Sequence, residues 1–266
     1  MQEGPTENKI SVERRGHLLL IGLNRPAKRN AFDLEMLDQL AAAYTRLEDD
    51  PDVRCGVLYA EGEMFTAGLD LANVGPKVVE TGNLNYPSGS VDPLGVGGGR
   101  DRTKPLVVAV QGKCLTIGIE LMLAADIRIA SENATFGQIE IKRGIFPFGG
   151  ATIRLPQAAG WGNAMRWLLT GDEFDAPEAL RIGLVQEVTR NGEQLDRAIE
   201  IAETVARQAP LGVRATIVSA RKAQIEGAAT AVAALTPQIL ELFGTEDAKE
   251  GVASFIERRE GNFVGR

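Results

Sequence analysis

Histidine is nearly missing: His17 is the only one in 266 residues. That excludes any site needing several imidazoles around a metal, and leaves only His17 for an imidazole-based triad. His17 stands in RRGHLLL beside Gly16 and reads as a solvent-facing hairpin residue. Cysteine is scarce too. Cys55 and Cys114 lie in apolar runs without CxxC spacing, so they read as reduced core residues. Cys114 is close to candidate site residues, yet no base accompanies it in sequence to make a reactive thiol. No apolar run approaches the roughly 20 residues that cross a bilayer. Met1–Lys9 is polar and lacks the apolar stretch of a secretory leader. A soluble cytoplasmic protein with no membrane partner is the expectation. Basic residues are outnumbered, 29 Lys and Arg against 36 Asp and Glu, for a net charge of −7. With no basic stripe, nucleic acid is not an expected partner. Carboxylates and backbone groups are left to carry any catalysis, with no metal.

What is present is enough apolar sequence, 44% of the chain, for one large domain or a domain with an appendage. The most informative stretch is Val108–Gly150. It places Glu120 and Glu140 in apolar surroundings. An ionised carboxylate there is costly unless it is paired or performs chemistry. The upstream stretch Val57–Leu71 is the candidate for the other half of a site.

In chain order, Lys9–Leu23 predicts a hairpin turning at Arg15-Gly16. Asn30–Asp49 predicts a helix capped by Asp33. Val53–Ala60 and Thr103–Val110 read as strands covered on both faces. Each runs through small residues into a helix start, the first at Ala67-Gly68 and the second into Gly118–Ala124. Free N–H groups at such junctions suit a developing oxyanion, although ordinary strand-to-helix turns have the same look. Asn73–Arg102 reads as a long Gly/Pro-containing loop, with Gly97-Gly98-Gly99 lacking the ending of a phosphate-binding loop. Asp126–Ala130 is a predicted strand and Thr135–Ile141 is predicted extended. On that basis Lys142 shares a face with Glu140, as a possible ion-pair partner, and Arg143 does not. After Gly150 the pattern turns helical.

Six blocks carry a resemblance: LNRPAKRNAF (Leu23–Phe32), FTAGLDL (Phe65–Leu71), VQGKCLTIGIELMLAADIRIAS (Val110–Ser131), FGQIEIKRGIFPFGG (Phe136–Gly150), LTGDEFDAPEALRIGLVQEV (Leu169–Val188) and EDAKEGVASFIERREGNF (Glu246–Phe263). In register from Ile10 to Phe263, the chain resembles the enoyl-CoA hydratase/isomerase (crotonase) superfamily, as a hydratase-like member.

The resemblance implies an α/β fold: a crotonase-like spiral of ββα repeats over 1–200, with a C-terminal helical region over 201–266 that drives assembly into a homotrimer or a dimer of trimers. It implies an acyl-CoA thioester as substrate, within fatty acid metabolism, and no cofactor apart from the coenzyme A of the substrate. Leu69 and Ile117 correspond to the main-chain donors of an oxyanion hole. The family often has glycines where this chain has Thr116-Ile117, and a β-branched residue there implies a narrower pocket. Glu120 and Glu140 match the paired glutamates of the hydratases. Glu140 corresponds to the acid/base at C2 and Glu120 to the group on water. Coenzyme A is expected at Thr66, Ala67, Gly68 and Asp70, at Arg25, Lys28 and Arg29 for its phosphates, and at Phe263 from a neighbouring subunit. Asp70 is also expected to cap the following helix. An isomerase or another crotonase-type reaction is the alternative, and a non-catalytic acyl-CoA-binding protein the further one.

Overall fold

A computed structural model describes residues 8–84, 86–97 and 99–266. The leader-free reading of Met1–Lys9 falls mostly outside them, as does Gly98. β1 (Ile10–Arg15) and β2 (Leu18–Leu23) form the expected antiparallel hairpin, and Gly16 at φ 59° makes its turn. β2 is buried at every position. It continues in parallel with β3 (Cys55–Ala60), then β4 (Leu106–Val110), β6 (Ile127–Ser131) and β9 (Glu187–Thr189). The order is β1-β2-β3-β4-β6-β9. Strands this apolar need cover on both faces.

One face is covered by α1 (Leu34–Asp49), whose Leu37, Leu40, Tyr44 and Leu47 share a core with Leu19, Ile21, Leu58 and Val108. Asp33 caps α1 by accepting from the Met36 N–H. The other face is covered by α7 (Gln194–Ala206), whose Ala198, Ala202 and Ala206 bring it close to Leu20, Val57 and Val107. A second sheet joins β5 (Lys113–Leu115), β7 (Thr135–Gly137) and β8 (Phe174–Asp175). From β5 to β6 runs α3 (Ile117–Ala124), apolar except for Glu120 and buried from Ile117 to Leu123.

Three expectations need correction. The predicted loop from Asn73 begins inside α2 (Leu71–Thr81), and the stretch beyond it sends Leu84, Val91 and Leu94 into the core. Asp92 orders it by accepting from the Leu94 and Val96 N–H groups. Extended structure after Thr135 stops at Gly137, and Glu140–Arg143 is a 3-10 turn ended by Gly144 at φ 76°. Asp70 makes no side-chain cap on α2; only its carbonyl joins the helix, accepting from Asn73 and Val74.

Past Gly150 come α4 (Ala151–Ala159), α5 (Trp161–Thr170) and α6 (Ala176–Arg181). After α7 follow α8 (Pro210–Glu226), α9 (Ala228–Phe243) and α10 (Glu246–Glu257). α8 buries none of its residues and is tied to the core by Arg214–Glu48 and Arg221–Asp126 ion pairs, each at 3.2 Å. No described helix is long and apolar enough to cross a membrane.

Candidate active site

Two crossovers meet at one place. After β3 the chain reaches Thr66, which pairs with Cys114 of β5 in a parallel bridge. Its hydroxyl donates to Asn30 O at 2.6 Å and accepts from the Gly68 N–H at 3.0 Å. Ala67 N–H donates to Arg29 O, and Asp70 N–H to Phe32 O. Every N–H from Thr66 to Asp70 is therefore occupied except that of Leu69, which has no acceptor among the described residues.

The second crossover leaves β5. Thr116 N–H donates to Gly137 O, and Thr116 O accepts from Ile119 and Glu120 as α3 begins. Ile117 is the first residue of that helix, so its N–H has no intrahelical partner, and no described residue accepts from it. Gly68 and Thr116 touch. A Cβ at Gly68 would overlap Thr116 Oγ1 and lie 3.4 Å from its Cβ. The residues immediately after them are Leu69 and Ile117, so two open N–H donors sit on adjoining segments. Ile117 is 1% exposed and packs in the main core.

The two glutamates are held differently. Glu120 is buried in the first turn of α3, and its Oε1 accepts from the N–H groups of Gly149, at 2.6 Å, and Ala151, at 3.3 Å. Ala151 opens α4, so the carboxylate rests at the positive end of that helix. Burial raises the Glu120 pKa, while these N–H groups and the charge of Arg154 hold it back. Burial, reinforced by the Glu120 charge and opposed by its own main-chain N–H, pushes Glu140 up to about 7. Two neighbouring carboxyl groups in unlike hydrogen-bond environments suit a proton on one and a charge on the other. Lys142 and Arg143 do not pair with Glu140. The 3-10 turn destroys the strand alternation, and Lys142 lies 3.8 Å from Asp172 instead.

Three participants have only weak signals in the sequence. The Gln138 amide, 1% exposed, faces three acceptors: Glu140 Oε1 at 3.0 Å, Glu140 Oε2 at 3.1 Å and Thr116 O at 3.2 Å. Its nitrogen points toward them, an orientation set by the hydrogen-bond network. Arg154 donates to Leu94 O and Gly95 O, both at 2.7 Å, and so straps the Asp92 loop over the start of α4. Gly149 gives Glu120 its room, since a Cβ there would overlap Oε2 and lie 2.7 Å from Cδ. The paired glycines before α4 were the only trace of that last constraint.

The residues expected at coenzyme A are more scattered. Arg25 is engaged, with Nη2 3.0 Å from Asp33 Oδ2 and Nη1 donating to Ala31 O. Lys28 and Arg29 are exposed on the adjoining turn. Thr66 is fully buried and internally bonded, with Ala67 and Gly68 beside it. Phe263 lies against Gly251 and Gly261, and its carbonyl accepts from Arg54 at 2.8 Å. Cys114 is buried, and burial lifts its thiol well above the ordinary range, opposing thiolate chemistry.

A spiral α/β core carrying two buried glutamates beside two open main-chain donors defines a crotonase-type protein. The chain belongs to the enoyl-CoA hydratase/isomerase family, whose model matches residues 13–266. It is 38% identical over 258 residues to the enoyl-CoA hydratase EchA19 of Mycobacterium tuberculosis, covering 96% of each chain. It is 34% identical over 260 residues to the 2,3-dehydroadipyl-CoA hydratase of Escherichia coli, covering 97% of this chain and all of the other. A crystal structure of a probable enoyl-CoA hydratase/isomerase from Mycobacterium abscessus superposes with a TM-score of 0.94 at 57% identity, covering 97% of this chain and 99% of that one.

Proposed function

We propose that this protein is an enoyl-CoA hydratase, adding water reversibly across the 2,3 double bond of an acyl-CoA thioester. One observation carries the assignment of roles. Glu120 and Glu140 are buried together but held in unlike hydrogen-bond environments, beside the open N–H groups of Leu69 and Ile117.

The thioester oxygen accepts from Leu69 and Ile117, which stabilise the negative charge that builds there as C3 is attacked. Losing one such donor typically costs about 10²–10³ in rate. Glu120, ionised and fixed by Gly149 and Ala151, orients water and takes its proton as the oxygen bonds to C3. Glu140, protonated below about pH 7, gives its proton to C2. In dehydration the two transfers reverse. Arg25, Lys28, Arg29, the segment Thr66–Asp70 and Phe263 of a neighbouring subunit form the coenzyme A side of this reading.

The same reading makes the protein a homotrimer or a dimer of trimers. α9 exposes Val232, Leu235, Leu240 and Phe243, and α10 exposes Phe255 at 84%. Val232, Leu235, Ile239 and Phe243 recur at helical spacing along α9, and an exposed apolar helix face of this kind suits an interface. Light scattering coupled to size exclusion checks the assembly.

The activity test is crotonyl-CoA with wild type and with Glu140→Gln, followed by enoyl-thioester absorbance and product mass. Gain of one water by wild type, and a loss of about 10²-fold or more in the variant, is the expected result. Equal rates overturn the assignment. A moved double bond with no mass change assigns the protein to isomerases instead.

A further inference from the structure

We infer that Thr116 supplies a third hydrogen-bond donor, its side-chain hydroxyl, to the thioester oxygen. This deepens the hydratase reading and rests on it for the identity of the ligand.

The first observation is conformational. Thr116 sits at φ 50° and ψ −116°. That region is populated almost entirely by glycine, and a β-branched side chain is especially unfavourable there. Strained residues of this kind persist where the surrounding structure imposes them, and they gather at functional sites. Here the constraint is visible. Thr116 N–H is tied to Gly137, and its carbonyl receives Ile119, Glu120 and Gln138.

A second, independent observation is chemical. Thr116 Oγ1 is buried and makes no hydrogen bond among the described residues, and the whole residue is 9% exposed. A buried hydroxyl without a partner is destabilising and calls for an explanation. Its surroundings supply one. Oγ1 rests against Gly68, the residue before one open donor, while Thr116 itself precedes the other. Three donors without acceptors, Leu69 N–H, Thr116 O–H and Ile117 N–H, thus occupy two touching segments. One acceptor with a growing negative charge satisfies all three, and a thioester oxygen becoming an enolate oxygen is such an acceptor. The oxygen accepts the Thr116 O–H without proton transfer, and the hydroxyl releases it as the thioester carbonyl reforms.

The test compares Thr116→Ser, which keeps the hydroxyl, with Thr116→Val, which keeps the β-branched shape without it. Thr116→Gly removes both hydroxyl and strain, and serves if the valine variant fails to fold. Two measurements are made: kcat and KM for crotonyl-CoA, and the absorbance of bound cinnamoyl-CoA. The conjugated chromophore shifts to the red as donors polarise its carbonyl, whether or not turnover follows.

The expected result is a serine variant within about threefold of wild type. The valine variant should lose about tenfold to a hundredfold in kcat, as for removal of a hydrogen bond to a charged group. Its KM should stay within about threefold, its red shift should be smaller and its melting temperature should not fall. The glycine variant should show the smaller red shift too. Valine matching wild type in kcat and red shift overturns the inference, as does a glycine effect without a valine effect, which assigns the role to backbone strain. Absence of hydration by wild type, with a red shift that still depends on the hydroxyl, overturns the hydratase reading and leaves the donor in place.

Discussion

The Glu120 carboxylate occupies the space that a side chain at Gly149 would need. Its Oε1 accepts from the Gly149 N–H at 2.6 Å, and a Cβ on that residue would overlap its Oε2. Gly149→Ala should therefore displace the carboxylate, not merely crowd it. A drop of about tenfold or more in kcat is expected, with a stability loss of about 1–3 kcal/mol from overpacking. Hydration rates and thermal melts of the variant check both.

Glu140 predicts two opposite pH responses. Hydration uses its protonated form, so the rate should fall as pH rises through about 7, and dehydration should rise over the same range. Stability follows from the same titration. The folded pKa lies above the ordinary value of 4.5, so the folded state holds this proton more tightly than the unfolded chain. The contribution is fully present below about 4.5 and is lost as pH rises to about 7. Glu140→Gln should remove both the kinetic limb and this slope, measured by pH–rate profiles and by denaturant melts at several pH values.

Gln138 donates to both oxygens of Glu140 when its nitrogen faces them, at 3.0 and 3.1 Å. Those bonds favour the ionised form. Gln138→Leu should move the Glu140 limb to higher pH and lower kcat about tenfold, the usual scale for a hydrogen bond to a charged group. A pH–rate profile with an unmoved limb would count against the contact.

Arg154 closes the loop over α4 through two carbonyls, Leu94 O and Gly95 O, each at 2.7 Å. Arg154→Ala leaves the partly buried Leu94 carbonyl without its donor, a cost of about 1–3 kcal/mol. It also removes the positive charge that restrains the Glu120 pKa. A lower melting temperature and faster hydrogen exchange at Leu94 and Val96 are the expected outcomes.

Much of this site was readable from residue types alone. Glu120 and Glu140 stand out because a carboxylate among Ile, Leu and Phe residues is expensive, and Ala67-Gly68 because small residues admit close approach. The reading failed where local pattern and local structure part company. IEIKR alternates like a strand, yet Ile139 and Gly144 turn it into a 3-10 segment, so neither Lys142 nor Arg143 reaches Glu140. Asp70 has the identity of a cap without the geometry of one.

The sequence by itself determined the hairpin, the covered parallel strands, the helical second half, the family and the pair of glutamates. Periodicity, turn chemistry and the high cost of buried charge are all local properties of the chain. Only the tertiary structure decided how those groups are tuned. Gly149 and Ala151 reach Glu120 across about 30 residues of sequence, and Gln138 reaches back to Thr116. Ile117 turns its side chain into the core while its N–H stays open. Gly68 and Thr116, far apart in the chain, come into contact only because β5 lies beside the segment that leaves β3. Hydrogen-bond partners and burial are long-range consequences of packing, and they set the pKa values and the placement of the donors.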